Sequence, residues 1–453
     1  MTWNRALVVG LGASGKAAAK LLLDRGVAVL GVDDKPAASL DLGPLAGAVG
    51  FELAGAVPAT VPVGVDGVVV SPGVPLALPL FADARAKGLP ILAEVELAFP
   101  LLDGDVVAIT GSNGKSTSTA LAGAMIAASG RPVEVCGNIG TPLSAVVEGP
   151  PGRAFVVELS SFQLEGIDTF RPKAAALLNL APDHLDRYQD FAAYGEAKRR
   201  LFARQGPEDV AVLNADDPYS AATTTPSRRR FFSRLRAVAD GCWLAGSGVI
   251  ESRPGQPDRP LFAVADVPLA GTHNLENAMA AALLALAVGT EPAALLAGLR
   301  GFHGLPHRLE KVAEAGGVTW WDDSKGTNPA ATVKSLEGFT DGSVHLILGG
   351  RNKGNDPAEL APMVARKARR LYLIGEAAPD FERALGPLVP AERSGTLAVA
   401  VAAARATATS GEAVVLSPAC ASFDQFRNYA DRGEQFQRLV RAAVGPAADG
   451  QGA

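Results

Sequence analysis

Val106-Val-Ala-Ile-Thr-Gly-Ser-Asn-Gly-Lys-Ser116 is a β-branched apolar run that stops in a glycine-rich turn, and the turn opens into the helix-like stretch 117–129. A strand, such a turn and a helix in that order make a phosphate cradle. Glycines let backbone N–H groups close around an anion, the helix N-terminus adds its dipole, Lys115 adds a charge and Ser116 offers a hydroxyl to Mg²⁺. Gly114-Lys115-Ser116 therefore predicts a nucleoside triphosphate site, with Gly111, Asn113 and Thr117 beside it. Full P-loop spacing wants a glycine at position 110, where Thr110 stands, so the loop is a shortened variant.

Around this motif, short β-branched runs alternate with alanine- and leucine-rich stretches over nearly the whole chain, the pattern of parallel sheets covered by helices. The expected class is α/β. A length of 453 residues exceeds one core and predicts about three domains. The proline- and leucine-rich segment at Phe99-Pro-Leu-Leu-Asp103 and the glycines of Gly301-Phe-His-Gly304 suggest boundaries, giving 1–103, 104–303 and 304–447, with 448–453 a frayed tail. The outer two read as Rossmann-like parallel sheets and the middle one as a P-loop ATPase-like domain.

Composition narrows the function. With 42 basic and 47 acidic residues, no field favours nucleic acid or an anionic membrane. The basic run Arg228-Arg-Arg230, set among threonines and prolines, reads as a solvated loop. Cys136, Cys242 and Cys420 lack metal spacing and fit a reducing compartment. The chain enters a strand at Arg5-Ala-Leu-Val-Val9 without a secretory pattern, and its longest uncharged apolar stretch, 278–290, is too short to span a bilayer. A soluble, cytoplasmic, monomeric protein is expected.

In open α/β sheets, ligands bind beyond the carboxyl ends of the strands. Glu158 follows Ala154-Phe-Val-Val157 where an acid would hold a nucleotide's metal, though an N-cap would look the same. His184, in Pro182-Asp-His-Leu-Asp-Arg187, is a candidate ligand or a turn cap. Lys198 shares a helical face with Phe191, Tyr194, Leu201 and Phe202. Buried there, it would lose its proton readily, and its free amine could add CO₂ to give a carbamate; otherwise it snorkels to solvent.

Gly10-Leu-Gly-Ala-Ser-Gly15 with Asp33 is a dinucleotide fingerprint on paper, and Ser71-Pro-Gly73 could line the same crevice. A nicotinamide-dependent oxidoreductase is the rival reading, but it leaves Lys115 and Glu158 unexplained. Later, Asp322-Asp-Ser-Lys-Gly-Thr-Asn328, Gly349-Gly-Arg-Asn-Lys353 and Ser417-Pro-Ala-Cys-Ala-Ser422 each follow a strand and should converge at one sheet edge. His307-Arg308, just past the second boundary, could reach a phosphate.

Taken in order, Thr110–Ser116, Gly137-Asn-Ile-Gly140, Glu158-Leu-Ser-Ser-Phe-Gln-Leu-Glu165, Asp183-His-Leu-Asp-Arg187, Lys198, His273-Asn274 with Asn277, Leu305-Pro-His-Arg308, Asp323–Asn328 and the segment 417–426 resemble the Mur ligase family over essentially the whole chain. The resemblance implies an ADP-forming ligase that joins D-glutamate to UDP-N-acetylmuramoyl-L-alanine through an acyl phosphate. That would be a cytoplasmic step of peptidoglycan precursor synthesis, serving cell wall biogenesis, cell shape and division. It implies ATP, two Mg²⁺ with Mn²⁺ as a substitute, and CO₂ carried as a carbamate on Lys198.

It also assigns residues. Lys115 and Ser116 cradle phosphates and the first ion, with Glu158 as a further ligand, and His184 and carbamylated Lys198 hold the second. Asn277, Arg308 and Asp323 contact ATP; Lys325 steadies the transferring phosphoryl group. Asn138 and His184 face the muramoyl portion, and Ser14, Asp34, Lys35 and Ser71 surround the uridine nucleotide. Thr327, Lys353, Ser422, Phe423 and Tyr429 receive D-glutamate. Ser112 stands for the more usual threonine and Tyr429 for a phenylalanine. No Asp-Asn-Pro-Arg segment is present, which disfavours a diaminopimelate-adding relative.

Overall fold

The computed structural model describes residues 3–183, 187–269, 271–352 and 354–444. His184, Lys353 and the expected tail 448–453 lie outside them. Three sheets are built, and the α/β expectation holds for each.

The first sheet has five parallel strands in the spatial order Phe51–Leu53, Ala28–Val32, Arg5–Val9, Gly67–Val70, Ile91–Ala93. Its central strands are buried on both faces, which is why they read as unbroken valine and leucine runs and not as alternating ones.

The second sheet has nine strands. Val133–Gly137, Arg153–Glu158, Gly104–Thr110, Ala174–Leu177, Val210–Asn214, Arg228–Ser233 and Gly241–Ala245 run parallel, and Gly248–Ser252 and Arg259–Ala263 extend the edge as antiparallel strands. One face packs on the helices Lys115–Ala127, Thr272–Ala287 and Pro292–Arg300 through Val107, Ile109, Met125, Leu283 and Leu299.

The arginine run is corrected here. Arg228-Arg-Arg230 opens a strand, and the Arg230 guanidinium is buried between Asp240 and Glu251. Glu251, itself buried, also pairs with Arg253 and Arg259. Sequence order hid this because Glu251 lies on a later strand and Asp240 just before another.

The third sheet runs Glu310–Ala315, Val318–Asp322, Ala413–Leu416, Val344–Gly349, Ala368–Ile374, Ala391–Gly395, with only the first pair antiparallel.

The chain divides into two compact units after Phe302. Within the first unit, the first two sheets share one core, where Val8, Val69 and Ala93 join Ala108, Phe155 and Ala175. Polar ties reinforce it: the Glu96 carboxylate accepts N–H bonds from Asp168, Thr169 and Phe170 at 3.0, 2.7 and 3.1 Å. Among the described residues, no helix is long and apolar enough to cross a membrane.

Candidate active site

The phosphate loop sits where the sequence places it, between strand Gly104–Thr110 and a helix that starts at Lys115. Gly114 holds φ at +82°, and a Cβ on it would collide with Asn277 Oδ1, so only glycine fits. The same Asn277 oxygen accepts from Ser118 Oγ at 3.2 Å, which brings the helix Thr272–Ala287 against the loop. Asn113 N donates to Asn179 Oδ1 at 2.9 Å and Asn179 Nδ2 to Asn113 O at 3.1 Å, fixing the loop's crown. Lys115 Nζ folds back onto the carbonyls of Gly111 and Ser112, at 3.0 and 2.9 Å. Ser116 and Thr117 follow in the first helical turn, half-buried.

Glu158 ends the neighbouring strand and is 2 % exposed. Its Oε1 accepts from Asn138 Nδ2 at 2.8 Å, while Oε2 has no hydrogen-bond partner among the described residues. A buried carboxylate oxygen left bare is costly, and a cation is the group that would satisfy it. The donor set fits a divalent metal.

Lys198 lies near the C-terminal end of the helix Phe191–Arg199 and does point inward, at 1 % exposure. Its Nζ donates to Gly111 O at 2.9 Å and lies 4.6 Å from the centre of the Tyr194 ring. Burial, and then the charge of Lys115, bring it down to about 7, against smaller opposing effects of Asp183 and Glu158. The snorkelling alternative is excluded.

In the first sheet, both Asp33 oxygens are already engaged, by Leu11 N at 2.6 Å and Lys35 N at 3.0 Å. Burial opposes ionisation, but these N–H groups prevail and hold the carboxyl below its ordinary value. Asp33 thus braces the glycine loop, and the exposed pair Asp34-Lys35 is left to face solvent. Ser71 Oγ donates to Gly10 O at 2.6 Å, and Ser14, in the first turn of the helix Ala13–Asp24, is half-buried.

The second unit gathers its own polar edge. Asp323 is buried, and its carboxylate accepts from Ser335 Oγ and Ser417 Oγ, both at 2.6 Å, and from Leu309 N at 3.2 Å. Burial raises it to about 6 despite those donors. It is an internal brace in this state, while Arg308 is exposed. The Nδ1 of His307 is engaged: it sits 2.7 Å from Asp322 Oδ2, and Gln437 Nε2 donates to the same oxygen at 3.0 Å. The hydrogen bond to Asp322 raises the His307 pKa. Lys325 Nζ lies 4.1 Å from the centre of the Tyr429 ring and donates to its hydroxyl at 3.0 Å. Thr327 is half-buried, Ser422 is buried, and Phe423 is 61 % exposed, open to a ligand.

Comparison with known proteins matches three family models in order: "Mur ligase MurD-like, N-terminal domain" over residues 4–93, "Mur ligase middle domain" over 109–285, and "Mur ligase, glutamate ligase domain" over 307–420. Proteins named UDP-N-acetylmuramoylalanine--D-glutamate ligase from Anaeromyxobacter dehalogenans and Acidobacterium capsulatum are 47 % and 43 % identical. The matches cover 96 % and 98 % of this chain, and 97 % and 98 % of theirs. The chain belongs to the Mur ligase family.

Solved Mur ligase structures share the fold at low identity. The UDP-N-acetylmuramate-alanine ligase of Thermotoga maritima superposes with a TM-score of 0.59 at 18 % identity, covering 97 % of this chain and 99 % of that one. A pseudomurein peptide ligase from Methanothermus fervidus gives 0.57 at 16 %, covering 97 % and 99 %. Within this Mur ligase, two residues near the predicted sites were not anticipated. Asn179 had a usable signal, a polar residue just past strand Ala174–Leu177. Arg432 had none, since an arginine in the amphipathic helix Tyr429–Val444 reads as surface.

Proposed function

We propose that this Mur ligase joins D-glutamate to UDP-N-acetylmuramoyl-L-alanine with ATP, forming ADP and phosphate, in the cytoplasmic assembly of peptidoglycan precursors. The observation that carries this reading is the end-to-end similarity to curated ligases of that name. Residues 1–103 would hold the uridine nucleotide through Ser14, Asp34, Lys35 and Ser71. Residues 104–303 would hold ATP through Gly111, Asn113, Gly114, Lys115, Ser116, Thr117 and Asn277. Residues 304–447 would add Arg308 and Asp323 for ATP and receive the amino acid through Thr327, Lys353, Ser422, Phe423 and Tyr429.

The substrate carboxylate is a poor electrophile, so it first attacks the γ-phosphorus, displacing ADP and forming an acyl phosphate. Lys115 leaves the carbonyls of Gly111 and Ser112 to meet the incoming phosphates, and the loop N–H groups share that charge. Ser116, Glu158, His184 and Lys198, the last as a carbamate, would hold Mg²⁺, with Asn138 orienting Glu158 and facing the muramoyl portion. Bound Mg²⁺ offsets the repulsion between the attacking carboxylate and the polyphosphate. The amine of D-glutamate then attacks the acyl carbon. The tetrahedral intermediate loses a proton and expels phosphate to leave the amide, with Lys325 steadying the departing charge.

Phosphate release from ATP, in the presence of UDP-N-acetylmuramoyl-L-alanine and a panel of amino acids, tests the assignment. Release should depend on D-glutamate. Comparable turnover with L-glutamate or meso-diaminopimelate would overturn it.

A further inference from the structure

Arg432 is the least expected side chain in the second unit: it is 0 % exposed, yet the described hydrogen bonds of its guanidinium all end on neutral oxygens. Nε donates to Ser324 Oγ at 2.9 Å and Nη2 to Ser324 O at 2.8 Å. Nη1 and Nη2 both donate to Cys420 O, each at 3.2 Å. Ser324 follows strand Val318–Asp322 and Cys420 follows strand Ala413–Leu416. A third loop closes on the same group, because a Cβ on Gly350, just past strand Val344–Gly349, would lie 3.2 Å from Arg432 Nη1. One planar cation therefore sits where three strand ends meet.

The seat is built for it. Gly433 has no side chain because a Cβ there would collide with the His307 ring. Ser324 Oγ donates to Tyr429 O at 2.7 Å, so the helix start and the Lys325 loop hold each other. Burial lowers Arg432 to about 10, which leaves it charged at neutral pH. Asp424, Asp322 and Asp323 support the charge through space, but none of its described hydrogen bonds ends on a carboxylate, and such a buried charge costs stability that a hydrophobic side chain would not. Its planar fork of donors is what an apolar residue or a lysine cannot reproduce.

We propose that Arg432 is a positioning residue for the amino-acid subsite: it ties the loop of Lys325 and Thr327 to the loop of Ser422 and Phe423, setting the spacing at which an incoming amino acid meets both. This rests on the function proposed above and adds the residue on which amino-acid affinity depends. Arg432 touches no substrate itself. The subsite it sets would take a small anionic amino acid, whose carboxylates must reach donors on two separate loops at once.

The test is a steady-state comparison of the full chain with Arg432→Lys, which keeps the charge but presents one point of donors. The KM for D-glutamate should rise about tenfold or more, while the KM values for ATP and the UDP-linked substrate stay within about twofold. A role in stability alone would lower the melting temperature and the active fraction and leave every KM in place, and that result overturns the proposal. Should Arg432→Lys fail to fold, Ser324→Ala removes one acceptor, keeps both bonds to Cys420 O, and is read by the same KM split. If the unaltered chain shows no D-glutamate-dependent turnover, the proposed function fails first. If it turns over and both variants keep their D-glutamate KM, only the role of Arg432 fails.

Discussion

Lys198 Nζ donates to the carbonyl of Gly111, so a lysine from a later helix closes on the phosphate loop 87 residues before it. The bond and the burial force one question of protonation. In the unfolded chain this amine keeps the ordinary value of 10.5, and in the folded chain it falls to about 7. The sign is then fixed: charging Lys198 destabilises the fold fully below pH 7, and the penalty fades as pH rises from 7 toward 10.5. Carbamate formation needs the free amine and releases a proton, so it follows the same direction. With ¹³C-labelled bicarbonate, a carbamate carbon should appear by NMR with a midpoint near pH 7 and be absent from Lys198→Ala. A midpoint near 10 would contradict the effect of burial.

Activity should report the same residue. Lys198→Ala is expected to lose about 10²-fold or more in kcat, as removal of a group that stabilises transition-state charge does. Small carboxylic acids should restore part of it, since they can occupy the space of a carbamate. Full activity in the untreated variant would rule the carbamate out.

Glu158→Gln keeps size and the contact with Asn138 but removes the anionic oxygen that stands bare in the buried site. The expected outcome is a raised Mg²⁺ requirement in a metal titration of ADP formation, with a melting temperature equal to or above that of the parent. Glutamine at this position should not unfold the chain, because a neutral amide is easier to bury than an unpaired carboxylate.

Gly114→Ala combines a left-handed backbone with a collision against Asn277. ATP affinity measured by calorimetry should fall sharply. Adding Asn277→Ala should recover the steric part of the loss in melting temperature but not the ATP affinity, since the cost of φ at +82° remains and Asn277 is itself placed at the nucleotide.

Away from the site, Glu251→Gln should destabilise the fold by about 1–3 kcal/mol in chemical denaturation, because it removes one of the two carboxylates that hold the buried Arg230 and leaves only Asp240. Catalytic constants of the folded fraction should hold. Acid should produce a milder version: three guanidinium groups overcome burial to keep Glu251 below its ordinary value, so its contribution is present above the unfolded pKa and lost as pH falls through the folded one.

The glycine-rich loop and its strand and helix were legible because their signals are local. A strand, a turn and a helix are contiguous in Val106–Ser129, whereas the spacing of Tyr194, Leu201 and Phe202 put Lys198 on their face but left open whether it snorkels, which burial decides. What escaped depends on partners far away in the chain. Arg230 reads as a solvated charge until Glu251 is placed beside it, and Asp33 reads as part of a dinucleotide fingerprint until Leu11 and Lys35 are seen to occupy it. His307 belongs to the same class, since its partners Asp322 and Gln437 come from two other elements. Periodicity reports which face is apolar. It cannot report which buried ion has found a mate.

The shared core of the first two sheets has a practical corollary. A protease that opens this chain at its weakest joint should release two stable pieces and not three, because stripping off the first hundred residues would leave Phe155 and its neighbours bare to water. Anyone wishing to swap the N-terminal sheet of such a ligase for another would have to transplant the packing beneath it as well.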